Sequence, residues 1–444
     1  MATLPSTDTA TTTAPLGTAQ ATMTRAERRR VIVGAGVGNA LEWYDWVAYA
    51  IFAPFFASQF FNPQNPLSAL LATLAVFAVG FLMRPLGGLF FGWLADRHGR
   101  RVAMTTAMVV TAAGSLLIGV APTYASVGVF ASAVLLLARL GQGFGLGGEI
   151  GGSHTYLAEM APPRRRGLWA SSMYIAVTSG VLTATLLAAG LSSLLGKADM
   201  AAWGWRVPFL IGGVLGVYAI YLRRSLHESH AFRKEQQQEE AAGSHPSLLR
   251  GIWENRAAAL RVIGLTVGGT VAYYTWAVSA TGYAISVKGV DPQQALWAGV
   301  VANLVFVVAL PLWGALSDRW GRKPNLYFFP LALGAVSFPL NGLIGDQAWQ
   351  LGVAMSIALF IHASVTSIVP AVMAEQFPTR VRATGFAFPY SIAVALTGGT
   401  APYLQTWLAS RGTPDLFIVY SIALLGVSFL TAITLKETKG ISLE

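Results

Sequence analysis

Long apolar runs constrain the fold of this chain more than any other feature. A helix needs about 20 mostly apolar residues to cross the hydrocarbon core of a bilayer, and only 11% of the 444 residues are charged. The apolar runs lie near residues 31–60, 67–94, 102–121, 126–149, 167–195, 205–222, 258–286, 293–316, 325–345, 349–373, 384–409 and 415–435. The sequence therefore predicts an all-α integral membrane protein with twelve transmembrane helices.

Basic residues between the runs predict the orientation. They are concentrated before the first run and after every even-numbered run, whereas the opposite segments hold only Lys197, Arg206, Lys288 and Arg411. Because cytoplasmic loops carry the excess of Lys and Arg, we expect a multi-pass protein of the plasma (inner) membrane with both termini in the cytoplasm. This topology accounts for the net charge of +10, so no nucleic-acid partner is predicted.

Several kinds of site are excluded or not expected. The chain has no cysteine, which rules out disulfides, thiolate metal sites and cysteine nucleophiles. The sequence offers no nucleophile–base pair, nucleotide-binding loop or cluster of metal ligands. We therefore predict no enzyme activity, no metal and no cofactor.

Two motifs occur twice, once in each half of the chain. GWLADRHGRR (92–101) recurs as GALSDRWGRK (314–323), and EMAPPRRR (159–166) recurs as EQFPTRVR (375–382). Parallel repeats of this kind are typical of transporters whose halves rock around a central site. The predicted organisation is a disordered cytoplasmic tail (1–30), an N-terminal six-helix half (31–222), a cytoplasmic linker (223–257), a C-terminal six-helix half (258–436) and a short cytoplasmic tail (437–444).

These motifs resemble those of a known family. The repeated GWLADRHGRR resembles the signature loop of the major facilitator superfamily, and RLGQG (139–143) resembles its R-x-x-q-G motif in the fourth span. GNALEWYDW (38–46), FLMRPLGG (81–88), GLGGEIGG (145–152) and WGWRVPF (203–209) resemble the metabolite:proton symporter branch. The resemblance implies the major facilitator fold, with twelve helices in two six-helix halves.

The resemblance also implies a function. We expect a proton-coupled symporter, acting as a monomer, that imports a small organic anion such as a 2-oxoacid or another mono- or dicarboxylate. A proton symporter for zwitterions such as proline or betaine is the alternative, and an efflux transporter of the same fold is less favoured. The partners would be the substrate, protons and the lipid bilayer.

Four charged residues lie deep within the apolar runs, away from their ends. A charge at the bilayer centre costs at least a few kcal/mol, so such residues usually face the bundle interior. Glu42 and Asp45 in the first run are predicted to carry the proton. Arg139 and Arg84 are predicted to bind the substrate, because a guanidinium matches a carboxylate through paired donors. A buried ion pair that only fixes helix packing is the alternative.

Aromatic residues complete the predicted substrate site. Tyr174 in the fifth run, together with Tyr273, Tyr274 and Trp276 in the seventh, could line a cavity or give a quaternary ammonium cation–π contacts. The sequence assigns no role to Glu149 or His362.

The signature loops carry the predicted gate. Their carboxylates can meet helix N-termini, and their arginines can pair with carboxylates or helix C-termini. The residues concerned are Asp96, Arg97, Arg100 and Arg101 in the first loop and Asp318, Arg319 and Arg322 in the second. Anchoring to anionic headgroups is the alternative role for these arginines.

Overall fold

The computed structural model describes residues 25–98, 100–147, 161–224, 255–376 and 382–441. Twelve long helices follow one another in these ranges. They are α1 (Arg25–Phe60), α2 (Pro66–His98), α3 (Arg100–Val120), α4 (Val129–Leu146), α5 (Arg166–Ala202), α6 (Val207–Arg224), α7 (Arg256–Val287), α8 (Pro292–Trp320), α9 (Arg322–Leu343), α10 (Ala348–Ala374), α11 (Arg382–Ala393 and Ala401–Ser410) and α12 (Pro414–Thr434). The predicted all-α architecture is confirmed.

Nine of the helices in the described ranges are long and apolar enough to cross a membrane. The other three, α1, α6 and α11, pack against members of that set: α1 against α5, α6 against α3, and α11 against α7. All twelve helices therefore belong to one bundle.

Two helix ends differ from the sequence prediction. Residues 25–30 were expected to belong to the tail, but they form the first turns of α1, because RAERRR consists of good helix formers. The helix α5 continues to Ala202 past a break at Gly196, where φ is +69°. Residues 1–24 and most of the expected linker (225–254) lie outside the described residues.

Close backbone contacts set the position of α2 against α4. A Cβ on Gly143 would overlap the carbonyl of Gly80, and a Cβ on Gly147 would overlap the carbonyl of Arg84. Small residues at such contacts let two transmembrane helices approach closely. This packing brings Arg84 of α2 and Arg139 of α4 to neighbouring positions in the N-terminal half.

The two halves meet along α5 and α8 and again along α2 and α11. Gly167 of α5 and Gly314 of α8 touch through their backbones, and the ring of Phe81 lies against Gly399. Two π-helical segments, Tyr274–Ser279 in α7 and Val394–Gly398 in α11, interrupt helices of the C-terminal half. Such segments occur frequently at functional sites.

Candidate functional site

A cavity with about 620 Å³ of empty space, part of it open to the surroundings, lies between the two halves. Its aromatic and titratable lining residues are Trp43, Tyr174, Tyr273, Tyr274, His362 and Tyr390. The first two come from α1 and α5, and the others come from α7, α10 and α11. Both halves therefore contribute to one central cavity.

The helix α7 supplies much of the cavity wall. Thr266, Thr270 and Tyr273 recur at helical spacing and face the cavity together with Tyr274. The π segment begins at Tyr274, and its wider turn changes the register of the residues that follow. Trp276 lies on the same helix face as Ala272, and both line a separate cavity of about 320 Å³ between α7, α9 and α12, so this predicted substrate residue lies away from the central cavity.

Several buried polar groups in the central cavity lack a well-placed partner among the described residues. Nδ1 of His362 and the hydroxyl of Tyr273 have no hydrogen-bond partner among the described residues. The His362 ring packs against Phe329 at 5.1 Å and against Tyr273 at 5.8 Å between ring centroids. Since buried polar groups in proteins are normally hydrogen-bonded, both are suited to bind a ligand.

Tyr174 and Tyr390 connect the two halves across the cavity. Their phenol groups interact through a hydrogen bond. Tyr174 belongs to α5 and Tyr390 to α11, so this contact depends on the relative position of the halves.

Arg84 lies just behind the cavity wall. Its side chain is 2% exposed, and its guanidinium carbon lies 4.1 Å from the Trp46 ring centroid and 4.2 Å from that of Phe81. It interacts with Glu42 electrostatically and with Tyr274 both electrostatically and through a side-chain hydrogen bond, while its Nε and Nη2 have no acceptor in good hydrogen-bonding geometry among the described residues. Tyr274 therefore stands between this guanidinium and the cavity.

Arg139 is connected to Asp45 through Gln142. Nη1 of Arg139 donates to Oε1 of Gln142 at 2.8 Å, and Nε2 of Gln142 donates to Oδ2 of Asp45 at 3.1 Å. The hydroxyl of Ser115 donates to Oδ1 of Asp45. The Arg139 guanidinium carbon lies 4.0 Å from the Trp46 ring centroid, and Arg139 is not among the described residues that line the central cavity. Arg139 and Asp45 are thus connected by hydrogen bonds through the side-chain amide of Gln142 and do not form a direct ion pair.

Asp318 of the second signature loop caps a helix of the other half. Its two carboxylate oxygens accept hydrogen bonds from the backbone N–H of Gly167 at 2.8 Å and of Leu168 at 2.9 Å. These N–H groups belong to the first turn of α5, where the helix dipole favours a negative charge. Arg322 also binds Asp318, at 2.9 Å.

Arg166 extends this contact to α10. Its Nη1 donates to Oε1 of Glu375 at 2.8 Å, and Nη2 of Arg322 lies 3.6 Å from the same oxygen. The side chains of Arg166 and Glu375 are almost completely buried. We call Arg166, Asp318, Arg322 and Glu375 the end cluster, which joins the two halves at one end of the bundle.

Of the remaining signature-loop residues, the structure describes the side chains of Arg97 and Arg319. The Arg97 side chain is exposed, with its guanidinium 5.9 Å from the Trp93 ring, and Arg319 is exposed, with its backbone carbonyl bound by Lys439. The side chains of Asp96, Arg100 and Arg101 lie outside what the structure describes, as does Glu149.

Glu437 ties the C-terminal tail to the start of α9. Burial alone would raise the pKa of Glu437, but hydrogen bonds from backbone N–H groups outweigh this and hold it below its ordinary value. The donors include Arg322 and Lys323 in the first turn of α9, at 2.8 and 3.1 Å. The tail thus caps the helix that carries Arg322.

Comparison with protein families gives a clear match. The family model described as the Major Facilitator Superfamily matches residues 35–388 and 265–441. The chain belongs to the Major Facilitator Superfamily. The predicted family and fold are thereby confirmed.

Named relatives of this major facilitator are transporters. It is 38% identical over 433 residues to the alpha-ketoglutarate permease of Escherichia coli, covering 96% of this chain and 99% of the relative. It is 31% identical to the proline/betaine transporter of Salmonella typhimurium, covering 92% and 84% of the two chains. A crystal structure of a D-xylose-proton symporter has the same fold, with a TM-score of 0.70 over 94% of this chain and 20% identity.

Some residues at this facilitator's central sites were not selected from the sequence. Gln142 and Ser115 bind Asp45, and Trp43 and Tyr390 line the cavity. Only Gln142 carried a local signal, since it lies three residues after Arg139 and therefore on the same helix face. The others depend on contacts between distant helices.

Proposed function

We propose that this protein is a proton-coupled symporter that imports a small organic anion, a mono- or dicarboxylate such as a 2-oxoacid, across the plasma (inner) membrane. It would act as a monomer with both termini in the cytoplasm, driven by the proton gradient, without a cofactor and without enzyme activity. The observation that carries the proposal is Arg84, a buried guanidinium next to Tyr274 of the central cavity, whose Nε and Nη2 have no well-placed acceptor among the described residues.

In this proposal Arg84 holds the substrate carboxylate. A guanidinium can donate two parallel hydrogen bonds to a carboxylate, and Nε and Nη2 of Arg84 form such a pair of neighbouring donors. Rotation of Tyr274 would open the way from the cavity to Arg84. Tyr273 and His362 would contact the other end of the substrate, so that a second carboxylate or a keto group finds donors in the C-terminal half.

Asp45 and Glu42 would carry the proton. Asp45 is buried and bound by Ser115 and Gln142, and Arg139, which binds the same Gln142, interacts with Asp45 electrostatically. Glu42 interacts with Arg84, so a substrate anion that engages Arg84 would weaken the attraction holding Glu42 ionised. Substrate binding and protonation would then support each other, as symport requires.

The end cluster would act as the gate. It joins α5 to α8 and α10 through Asp318, Arg166 and Glu375, and the halves cannot separate at this end unless these bonds break. Arg97, Arg100, Arg101, Asp96 and Arg319 would belong to the same gating loops.

A zwitterionic substrate such as proline or betaine is the second candidate. Trp43, Tyr273 and Tyr274 pack closely in the cavity, with Trp43 5.7 Å from Tyr273 between ring centroids. Aromatic rings in this arrangement can enclose a quaternary ammonium through cation–π contacts. In that case Arg84 would hold the carboxylate of the same molecule. The proline/betaine transporter among the relatives supports this candidate.

Uptake into proteoliposomes tests the proposal. The purified protein should accumulate radiolabelled 2-oxoglutarate when the outside is more acidic, and a protonophore should abolish the accumulation. Accumulation of betaine instead would favour the second candidate. Uptake that is unchanged by the protonophore would contradict proton symport.

A further inference from the structure

A second cavity lies entirely within the N-terminal half. It contains about 560 Å³ of empty space, is open along part of its surface and is lined by α1, α3, α4 and α6. Its polar lining residues are Glu42, Asp45 and Thr111, and most of the remaining wall consists of small or aliphatic residues. Among the described residues, no lining residue is shared with the central cavity.

The positions of the lining residues along their helices show toward which side of the bundle this cavity extends. Asp45 lies at its inner end, and Gly38, Met108 and Leu146 line it further out. Those residues lie toward the first turns of α1 and α3 and the last turn of α4, which is the face of the bundle with the basic segments. The cavity therefore extends from Asp45 toward the proposed cytoplasmic face.

Asp45 is held so that its carboxylate borders this cavity. Ser115 of α3 and Gln142 of α4 donate to it, and the backbone of Gly212 in α6 approaches Oδ1 so closely that a Cβ would not fit. The charged or titratable groups near Asp45 are Glu42 and Tyr44 on its own helix and Arg139 on α4. Arg139 balances the charge of the ionised carboxylate.

We propose that the second cavity is a water-filled passage through which Asp45 releases its proton to the cytoplasm, separate from the route of the substrate. The proposal rests on the proposed proton symport. The carboxylic acid of Asp45 transfers its proton to a water molecule in the cavity, and the carboxylate that remains keeps its bonds to Ser115 and Gln142. Water in a protein cavity requires room and two or more polar partners, which the carboxylates and Thr111 provide.

A separate passage makes proton release independent of substrate release. The proton can leave while the central cavity still holds substrate, because the two volumes lie on different sides of α1. Filling the second cavity should therefore slow proton release without weakening substrate binding.

Cysteine labelling tests whether the passage is wet. The chain has no cysteine of its own, so single cysteines can be placed at Met108, which lines the cavity, and at Val109, which is 46% exposed on the outer face of α3. Thiols react as thiolates, so a charged methanethiosulfonate added from the cytoplasmic side should label Met108→Cys at least about tenfold faster than Val109→Cys. Equal rates would mean that lipid fills the cavity and would overturn the proposal. This result does not depend on substrate transport, so it separates the passage from the proposed function.

Filling the cavity tests its role. Leu215→Phe places a larger side chain in the cavity, and Val214→Phe places the same side chain on the exposed face of α6, where Val214 is 64% exposed. Leu215→Phe should retain substrate exchange at the parental rate but lose most of the uptake driven by a pH gradient, whereas Val214→Phe should retain both. Thr111→Val keeps the size of the side chain and should slow net uptake in the same way. It provides the test if Leu215→Phe does not fold. Undiminished net uptake in both cavity variants, or an equal loss of exchange, would overturn the proposal.

Discussion

The two six-helix halves repeat the same motifs but place their buried charges differently. In the N-terminal half Asp45, Arg84 and Arg139 are buried in the middle of α1, α2 and α4. In the described part of the C-terminal half, Arg322 and Glu375 are buried at one end of the bundle, and the imidazole of His362 occupies mid-span. The first half concentrates charge in its interior, whereas the second concentrates it at the gate.

This difference indicates a division of labour on a repeated framework. Buried charges are costly in a membrane and usually functional, so their position indicates where ion coupling takes place. We infer that the N-terminal half handles the proton and binds the anion, while the C-terminal half supplies most of the aromatic cavity wall and three of the four residues of the end cluster. Substitutions in the two halves should then have separable effects.

Arg84→Ala should produce the largest loss. Removing one member of a buried, hydrogen-bonded charge contact costs about 2–5 kcal/mol in binding, so 2-oxoglutarate binding to the purified protein should nearly disappear in a scintillation proximity assay. Arg84→Lys should also bind poorly, because an ammonium cannot form the two-pronged contact. The exposed Arg411→Ala serves as the control and should bind normally. If Arg84→Ala bound 2-oxoglutarate with the parental affinity, Arg84 would not be the residue that holds the substrate carboxylate.

Arg139→Ala should separate coupling from binding. Its stranded partner should lower the thermal stability, since breaking a buried pair costs about 3–5 kcal/mol, and adding Asp45→Asn should restore part of the loss. Substrate binding should persist in the double variant, because Arg139 reaches the cavity only through other side chains. A double variant that is as unstable as Arg139→Ala would contradict the connection of Arg139 to Asp45 through Gln142.

Asp318→Asn should loosen the end cluster with a smaller effect. Losing the charge at the start of α5 and opposite Arg322 should cost about 1–2 kcal/mol. A cysteine at Val369, which lines the central cavity, should then be labelled from the cytoplasmic side about 5–30 times faster. Asp415→Asn, an exposed change of the same kind at the start of α12, should leave the rate unchanged. Slower or unchanged labelling in Asp318→Asn would argue against the end cluster as the gate.

Glu437 should give the smallest effect, one that depends on pH. Because its folded-state pKa lies below the ordinary value of 4.5, its contribution to holding the tail is complete above that value and is lost as the pH falls through the lower folded-state pKa. Proteolysis of the C-terminal tail should therefore accelerate only in that acidic range. Glu437→Gln should be cleaved faster at neutral pH with a flatter pH profile, whereas the exposed Asp346→Asn should follow the parent. A parental profile for Glu437→Gln would show that this carboxylate does not hold the tail.

The helices, the repeated loops and the buried charges are predictable from the sequence because each has a local signal. The twelve helices coincide with mostly apolar runs that can be located in the sequence, and the repeated loops identified the two halves. The charges of Glu42, Asp45, Arg84 and Arg139 stood out because any charge in such a run is unusual.

Contacts between distant segments could not be predicted in the same way. Trp276 lies three residues after Tyr273, but it lines a cavity with Ala272 toward α9 and α12 rather than the central cavity that Tyr273 lines. Gln142 belongs to the RLGQG motif, but its hydrogen bond to Asp45 depends on the packing of α1 against α4. The cavity within the N-terminal half exists only because small residues from four helices meet there.

Measuring substrate exchange and proton-driven accumulation in the same proteoliposomes tests the division between the halves most directly. Asp45→Asn should exchange internal for external 2-oxoglutarate at nearly the parental rate but lose the roughly tenfold accumulation that one proton supplies per unit of pH gradient. His362→Gln, the comparison from the other half, should bind substrate more weakly and still accumulate it in response to the gradient. Accumulation by Asp45→Asn at the parental level, or its loss in His362→Gln at saturating substrate, would contradict the account.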